Sequence, residues 1–423
     1  MAQSFQKDIQ YYKFCMYGFL KNLRFFEPFL ILFFLEKGLT FLQIGTLYAI
    51  REILINIAEI PSGVVADSLG RKKSMVFSFL FYIISFTVFF SSKSYPLFVL
   101  AMLFYALGDA FRTGTHKAMI FEYLNIKGWK NQRVYYYGHT RSWSQMGSAV
   151  SSLLAASIVF YSGNYQSIFI YSTLPYLLDL LLIISYPKAL DGQTSALRIK
   201  DIKLKFMAVT KDFIFSFKKI HIIKAIANLS VHSGFHKAIK DYLQPVVQTF
   251  ALSLPVFLAL QEKQRTAILI GIVYFIVYFL TSFASRKAGK LTEKLKSMHR
   301  ALNLTLYAGF ILALLSGIFY HHGFYFISIV FYIGIYIIEN VRNPVGVAYV
   351  SELYSDEILA TALSANSQAK SLFAAIIAPI LGFMADRYNV GVAIAIVAAF
   401  LSVISLLYLA KNKNINEIDI TND

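Results

Sequence analysis

The chain has 423 residues, of which 57% are hydrophobic and only 15% are charged, whereas a soluble domain carries about 25% charged residues. Its formal net charge of +17 falls in short loops between apolar runs, and this distribution argues against a nucleic-acid interface. The single cysteine, Cys15, excludes a disulfide framework within the chain. The composition therefore favours a membrane protein.

The apolar runs predict about twelve membrane-spanning helices, because runs of roughly 20 residues cross a hydrocarbon core of about 30 Å. The N-terminal segment lacks the features of a cleaved signal peptide, so the first span should stay uncleaved. The stretch 245–264 fits either a long outer loop or an interfacial helix. In chain order, the predicted spans are 14–35, 44–66, 74–92, 97–122, 139–161, 165–186, 219–248, 264–284, 300–320, 323–350, 361–385 and 391–410.

Lys and Arg are concentrated in the loops after spans two, four, six and eight, which predicts that both termini are cytoplasmic. We expect a monomer that crosses the cell membrane (inner or plasma membrane) several times and contacts its lipid bilayer. The basic linker between the two predicted halves, residues 187–218, should lie on an anionic inner leaflet. The predicted organisation is a six-helix bundle over 1–186, a cytoplasmic linker over 187–218, a second six-helix bundle over 219–410 and a cytoplasmic tail over 411–423.

The two predicted bundles share sequence features in the same order, which argues for duplication of a six-helix unit. Duplicated halves place the solute site of many transporters at a pseudo-symmetric interface. The matching features are Arg112 and Glu122 with Arg342 and Glu352, Glu27-Pro28 with Gln244-Pro245, and residues 67–71 with residues 286–290, at offsets of 230, 217 and 219 residues.

The segment EIPSGVVADSLGRKK (residues 59–73) closes span two. It resembles the signature loop of the major facilitator superfamily, G-x-x-x-D-x-x-G-R-K/R, with the E-x-P-S/T-G lead-in of its drug and small-solute members. The resemblance covers the whole chain as a twelve-span, two-half layout. It implies that Gly63, Asp67, Gly70 and Arg71 gate the cytoplasmic side. Gly63 and Gly70 would permit close helix approach and a tight turn; Asp67 would cap the next helix or pair with cations.

Two departures from the family pattern bear on function. Arg286 stands in the second copy where an Asp would, so we expect an asymmetric gate. Span five contains Gly147 but lacks the proline-glycine motif of many antiporters, which weakens a drug-antiporter interpretation.

Charged residues inside spans cost about 2.5–3.5 kcal/mol each if they face lipid at the midplane. In span two, Glu52, Asn56 and Glu59 fall on one helical stripe. In span four, the spacing of Asp109, Arg112 and His116 places them on one face of a helix. Arg112 with Gly114 resembles the family's R-x-x-x-G element at a shorter spacing, which implies a part in proton coupling. The alternative is a structural Asp109–Arg112 pair.

Span seven is the most polar of the predicted spans. Its polar side chains from His232 onward occupy about half of the helix circumference. His232 and His236 could bind a metal, but the neighbouring lysines disfavour a cation, and a titratable pair that carries a proton is the preferred interpretation. The predicted pathway residues of this span are His232, His236, Lys237, Asp241 and Gln244.

Span one adds Arg24 and Glu27, span ten adds Glu339 and Arg342, and span eleven adds Asn366, Gln368 and Lys370. In the resembling family, spans one, four, seven and ten line the central cavity. Among the candidate residues of spans one, two, four, seven and ten, seven are basic (Lys21, Arg24, Arg112, Lys117, Lys237, Lys240 and Arg342) and six are acidic (Glu27, Glu52, Glu59, Asp109, Asp241 and Glu339). A paired, slightly positive interior suits a polar zwitterionic or anionic solute.

The sequence predicts an all-α polytopic membrane protein with the major facilitator fold, acting as a secondary transporter by alternating access. We expect proton coupling, a small-molecule substrate, H⁺ as the coupling ion and no cofactor or metal. The alternatives are a drug-efflux pump of the tetracycline-resistance type and a non-transporting receptor or scaffold. An enzyme is not expected, because no nucleophile–base constellation appears. Substrate identity, direction and stoichiometry stay open.

Overall fold

A computed structural model describes residues 7–192, 204, 207, 220–256, 258–353 and 356–409. The described residues form helices and connections, with no β-strand among them. Most of the predicted linker 187–218 and all of the predicted tail 411–423 lie outside the described residues.

The helices follow the predicted spans in order. The first eight are α1 (Ile9–Lys21), α2 (Leu30–Glu36), α3 (Phe41–Leu69), α4 (Arg71–Ser91), α5 (Tyr95–Arg112), α6 (Thr115–Ile126), α7 (Arg133–Ser162) and α8 (Ser167–Ile184). They are followed by α9 (Ile220–Ile239), α10 (Leu243–Ser253), α11 (Glu262–Leu295), α12 (Met298–His321), α13 (Tyr325–Leu353), α14 (Asp356–Arg387) and α15 (Val390–Ile404).

Ten helical segments in the described part of the chain are long and apolar enough to cross a membrane. They correspond to predicted spans two to six and eight to twelve. The predicted spans one and seven are interrupted helices: α1 and α2 make up the first, and α9 and α10 the second. The stretch 245–264 resolves into the rest of α10, a short connection after Ser253 and the start of α11 at Glu262.

Local sequence signals set several helix ends. Thr40 and Gln43 form a reciprocal capping box at the start of α3, and the side chains of Ser297 and Asn389 accept backbone N–H groups at the starts of α12 and α15. These contacts satisfy donors that a helix start leaves unpaired. Gly114, with φ of +80°, separates α5 from α6, because this left-handed backbone region is readily open only to glycine.

Two of the charged spans, one and seven, are interrupted beside their charged residues. Arg24 precedes a single 3-10 turn, Glu27–Phe29, and a second 3-10 turn, Lys240–Tyr242, joins α9 to α10. Interrupted helices are tolerated at membrane depth only where protein or a water-filled cavity satisfies the freed backbone groups. Such breaks are also where many transporters bind substrates and ions.

The chain divides into two compact units. Unit 1 comprises Met1–Met207 and Asp241–Phe279, and unit 2 comprises Ala208–Lys240 and Leu280–Asp423. In unit 1, α4 packs on α5 and α8, and α1 packs on α7. In unit 2, α12 packs on α13 and α15, and α9 packs on α14. The predicted pair of six-helix bundles with a linker stays a prediction.

The two units have different interiors. Unit 1 is filled with aromatic rings, and Phe33, Phe89 and Phe169 make mutual ring contacts within it. In unit 2, small residues bring helices together: a Cβ on Gly317 would lie 2.3 Å from the carbonyl oxygen of Gly391. Close approach through small residues is the usual way in which membrane helices associate.

Candidate functional site

The Asp109–Arg112 pair lies at the C-terminal end of α5 in unit 1. Arg112 Nη2 is 2.9 Å from Asp109 Oδ1, and Arg112 Nε donates to the Tyr82 hydroxyl at 3.1 Å. The Tyr82 hydroxyl in turn donates to Asp109. The Arg112 and Asp109 side chains are 22% and 18% exposed. The pair is therefore hydrogen-bonded on one side and still accessible on the other.

The predicted common face of Asp109, Arg112 and His116 requires a continuous helix, which the break at Gly114 removes. His116 belongs to α6, where its ring stacks on Tyr17 of α1 with centroids 3.5 Å apart. Its Nε2 lies 3.3 Å from the Tyr186 hydroxyl. The structure thus places His116 in an aromatic contact with α1.

A second charged group surrounds the break in span one. Arg24 Nη1 lies 3.8 Å from Glu27 Oε2. The amide of Gln244, which is fully buried, donates to the Glu27 carbonyl and accepts from the Ile31 N–H, both at 2.8 Å. Gln244 therefore satisfies backbone groups that the interruption leaves without helical partners.

A third pair lies on α3 and includes a residue that the sequence reasoning missed. Arg51 donates through Nε and Nη2 to Glu52 Oε1 at 3.1 and 3.0 Å, and its guanidinium lies 4.7 Å from the centre of the Tyr48 ring. Glu52 is only 2% exposed. Asp241, 3% exposed, is close enough to act electrostatically on Arg51. The only sequence signal for Arg51 is its position next to Glu52 inside an apolar span.

Arg51 also lines a small cavity in unit 1 whose other walls are mostly aromatic. Within it, the rings of Phe26 and Phe169 are stacked with centroids 6.0 Å apart, and Tyr105 meets Phe26 edge to face. The lining residues are Phe26, Leu30, Arg51, Phe86, Phe89, Met102, Tyr105 and Phe169. A guanidinium beside flat rings can receive an anionic group attached to an apolar or planar one.

The predicted pathway residues that follow Glu52 on α3 are less buried than Glu52. Asn56 and Glu59 are half-buried on this helix. The buried Ser62 hydroxyl lies 2.9 Å from the carbonyl oxygens of both Glu59 and Ala110. The serine of the E-x-P-S-G lead-in therefore ties α3 to α5, which is a packing role that carries no information about the solute.

In unit 2, Glu339 of α13 is the centre of a buried cluster. His232 Nδ1 lies 2.9 Å from Glu339 Oε2, the Ser233 hydroxyl donates to Oε1 at 2.6 Å, and Lys370 Nζ lies 3.8 Å from the same oxygen. The His232 ring fits because residue 309 is glycine: a Cβ there would lie 2.0 Å from His232 Nε2. The cluster joins α9, α13 and α14.

The remaining predicted residues of span seven have separate surroundings. His236 meets the Tyr336 ring edge to face with centroids 5.0 Å apart, and Lys237 Nζ donates to the Ser371 hydroxyl at 3.2 Å. These two belong to unit 2, whereas Asp241 and Gln244 belong to unit 1. Within the described residues, no group of three or more His, Cys, Asp or Glu side chains is arranged to hold a metal ion.

Arg342, one turn after Glu339, is 1% exposed and bonds to helix backbones. Its Nη1 donates to the Leu302 carbonyl at 2.5 Å and lies 3.1 Å from Thr305 Oγ1. Its Nη2 donates to the Asn228 carbonyl at 2.5 Å and to the Asn228 side chain. In this conformation Arg342 joins α13 to α9 and α12.

The predicted gating segment forms the turn between α3 and α4. Gly70 has φ of +96°. The Lys72 N–H donates to Asp191 Oδ1 at 2.7 Å, and Arg71 Nη1 lies 3.4 Å from Glu122 Oε2. Asp191 and Glu122 were not among the predicted gate residues, because both lie far from this segment in the chain.

The other two residues of the predicted gating segment lie at the surface. Gly63 and Asp67 are exposed. No described atom beyond its own helix lies within 4 Å of the position that a Cβ on Gly63 would occupy. Among the described residues, the close helix approach expected at Gly63 is therefore absent in this conformation.

The chain matches the sequence family described as Major Facilitator Superfamily over residues 14–369. The uncharacterized MFS-type transporter YxaM of Bacillus subtilis (strain 168) is 23% identical over 396 residues, covering 90% of each protein. The solved structure of the nucleoside transporter NupG is similar with a TM-score of 0.70 at 14% identity, covering 95% of this chain and 96% of that one. A POT family transporter in complex with a thioalcohol-conjugated peptide has a TM-score of 0.70 at 13% identity, covering 94% and 95%. At these identities the structural similarity concerns the fold.

Proposed function

This chain belongs to the Major Facilitator Superfamily, and we propose that it is a proton-coupled transporter of a small polar organic solute that is zwitterionic or anionic. The family and the ten membrane-crossing helices make it a multi-pass membrane transporter. The observation that carries the proposed coupling and solute class is that the intramembrane charges form separate acid–base groups in both units, two of them beside helix interruptions.

The solute class follows from the arginines of unit 1. Arg24, Arg51 and Arg112 are each paired with one carboxylate and remain 18%, 12% and 22% exposed. A guanidinium that keeps free donors can bind a carboxylate or phosphate of a solute with two parallel hydrogen bonds. The paired carboxylates of the same groups can receive an ammonium group.

Proton coupling is proposed at the Glu339 cluster of unit 2. Glu339 is bonded by His232, Ser233 and Lys370. A buried carboxylate and an imidazole that share a hydrogen bond change their net charge by one unit when a proton binds. Because a charge buried at membrane depth is costly, each charge state favours a different set of neighbours. Protonation of this group can therefore shift the equilibrium between the conformations of alternating access.

We further propose that the protein works as a monomer in the plasma or inner membrane, with both termini cytoplasmic, and that it moves its solute without chemical change. The efflux alternative is supported by the E-x-P-S-G lead-in and opposed by the density of charges in the spans and by the missing proline-glycine motif. A receptor or scaffold would have no need for the buried acid–base groups.

The proposal is tested with purified protein in liposomes and radiolabelled polar solutes: a dipeptide, a nucleoside, a nucleotide and an amino acid. Each solute is first screened by thermal shift, because a ligand that binds the folded state raises its melting temperature. A solute that raises the melting temperature should accumulate when a pH gradient is imposed, and should stop accumulating in Arg112→Ala and Asp241→Asn.

Two outcomes would contradict the proposal. Stabilisation by hydrophobic drugs alone would favour efflux. Unchanged accumulation in both variants would remove Arg112 and Asp241 from the solute and proton pathway. The matched control is Arg141→Ala, which removes an exposed arginine of α7.

A further inference from the structure

Asp179 of α8 is a buried carboxyl that the pathway described above does not use. It is 0% exposed, and neither of its carboxyl oxygens has a hydrogen-bond partner among the described residues. It is the single acid in the apolar sequence of α8, SIFIYSTLPYLLDLLLII. A lone acid in such a sequence has no partner at helical spacing on its own helix, so its role depends on the neighbouring helices.

The contacts between α1 and α8 show which residues face Asp179. The Tyr176 hydroxyl donates to the Lys21 carbonyl at 3.2 Å, and Lys13 Nζ donates to the Ser185 carbonyl at 3.0 Å. The two helices therefore run antiparallel along each other. Asp179, one turn after Tyr176 on α8, lies opposite the last turn of α1.

The charged group that acts on Asp179 is Lys21, which is 9% exposed. In the described part of the chain no ion pair within 4.0 Å joins the two residues. Tyr17 of α1 and Tyr186, just after α8, lie within electrostatic range of Asp179.

The other helices packed on α8 include α4 and α7, whose titratable groups have contacts of their own. Tyr82 of α4 is bonded to Asp109 and Arg112, and Tyr136 of α7 lies among Tyr11, Phe14 and Tyr123. Asp109 and Glu27 are carboxylates that act electrostatically on Lys21, and Arg24 and Arg112 are cations that act on it.

An ionised carboxylate without a hydrogen bond or a contacting cation is among the most costly groups to bury, so such a group takes up a proton instead. We propose that Asp179 holds a proton in this conformation and that, on releasing it, the carboxylate forms an ion pair with the Lys21 ammonium. In the release step the carboxyl O–H bond breaks, the proton passes to water, and the electron pair stays on the carboxylate. The Lys21–Asp179 pair is thus a second proton-coupling site, and this inference rests on the proposed proton-coupled function.

The position of Lys21 links the charge of Asp179 to the arginines near the first helix interruption. Lys21 is the last residue of α1, directly before the interruption that contains Arg24 and Glu27. An ion pair with Asp179 would draw the ammonium towards α8 and away from Asp109 and Glu27. These two carboxylates would then hold Arg112 and Arg24 more tightly, so the charge state of Asp179 would alter how freely the arginines can bind a solute.

Infrared difference spectroscopy on the detergent-purified, solute-free protein tests the proton site directly. A protonated carboxyl has a carbonyl stretch that a carboxylate lacks. As the pH is raised, the wild type should lose such a band, and Asp179→Asn should lack that change, whereas Glu262→Gln, which removes an exposed acid at the start of α11, should keep it. In Lys21→Gln the band should persist to higher pH, because the carboxylate has lost its cation. An identical pH-dependent band in wild type and Asp179→Asn would overturn the proposal.

Transport measurements separate this inference from the proposed function. With a solute identified by thermal shift, Asp179→Asn should retain solute exchange across the liposome membrane and lose most of the accumulation driven by a pH gradient. Full pH-driven accumulation in Asp179→Asn would refute the coupling role and leave the proposed function intact. If the wild type showed the Asp179 band but no pH-driven accumulation, the proposal of proton-coupled transport would be refuted. The proposal that Asp179 binds a proton would still hold.

Folding of the variants is checked by their melting temperatures. Asn matches the shape of a neutral carboxyl, so Asp179→Asn should melt within a few degrees of the wild type. If Asp179→Asn fails to fold, Lys21→Gln supplies the test through the pH at which the carbonyl band disappears. A band that disappears at the same pH in Lys21→Gln and in the wild type would refute the ion pair.

Discussion

Replacement of Arg342 by methionine distinguishes a structural arginine from a solute-binding one. Arg342 is 1% exposed, and its guanidinium bonds to Leu302, Thr305 and Asn228. Methionine is unbranched and flexible enough to fill much of the space. The variant therefore removes the hydrogen bonds with little loss of packing.

The expected loss can be worked from these contacts. Arg342 makes four hydrogen bonds, to two backbone carbonyls and two side-chain oxygens. At about 0.6 kcal/mol for an average bond inside a membrane protein, the sum is roughly 2.4 kcal/mol. Leaving a buried acceptor unsatisfied costs about 1–3 kcal/mol. We therefore expect Arg342→Met to lower the free energy of unfolding by about 2–5 kcal/mol.

The assay is thermal or denaturant unfolding of the purified protein, followed by tryptophan fluorescence, with solute affinity measured below the transition. The matched control is Asn343→Ala, an exposed neighbour on α13, which should leave stability unchanged. Arg342→Met should unfold early yet bind the solute with nearly the affinity of the wild type. A variant with the stability of the wild type and no solute binding would refute the structural role and place Arg342 in the pathway.

Three further predictions concern the gate, the first interruption and the coupling cluster. Gly70→Ala should lower the free energy of unfolding by about 1–2 kcal/mol, because φ of +96° is strained for alanine and its Cβ would lie 3.0 Å from the Asp191 carboxyl. The control Gly63→Ala adds a Cβ in open space and should leave the melting temperature unchanged. Equal changes in the melting temperatures of the two variants would contradict this account. Gln244→Leu should cost about 1–3 kcal/mol in unfolding experiments, since the backbone groups of Glu27 and Ile31 lose their buried partner; a melting temperature equal to that of the wild type would show that the amide is dispensable. Glu339→Gln keeps the shape and removes the charge, so liposomes should retain solute exchange and lose pH-driven accumulation; accumulation at the wild-type rate would exclude Glu339 from coupling.

Much of the fold could be predicted from the sequence because lipid imposes a local rule. A segment that crosses a membrane must be apolar over about 20 residues and must satisfy its own backbone, so span number and order follow from hydropathy. The segment 59–73 predicted the family, and the match over residues 14–369 confirmed it. The sequence also placed charges in spans one, four and seven, which the structure shows to be interrupted.

The interruptions themselves and the partners of the charges could not be derived in this way. A hydropathy pattern predicts each span as one uninterrupted helix. It therefore did not predict the turn at Gly114 or the 3-10 turn Lys240–Tyr242. Helical spacing relates only residues a few positions apart. The Lys72–Asp191 contact joins residues 119 positions apart, and the His232–Glu339 contact joins residues 107 apart.

The sequence by itself determined the membrane setting, the order of the spans, the family and the set of intramembrane charges. The tertiary structure decided what each charge does. Arg112 and Arg342 occupy similar positions in the sequence of the two predicted halves, yet Arg112 is 22% exposed beside Asp109 and Arg342 is 1% exposed against helix backbones. Asp179 was not singled out in the sequence, and its burial without a hydrogen-bond partner among the described residues makes it a candidate proton site. The physical reason is that the cost of burying a charge depends on the groups that packing brings within hydrogen-bonding distance, and packing is set by the whole chain.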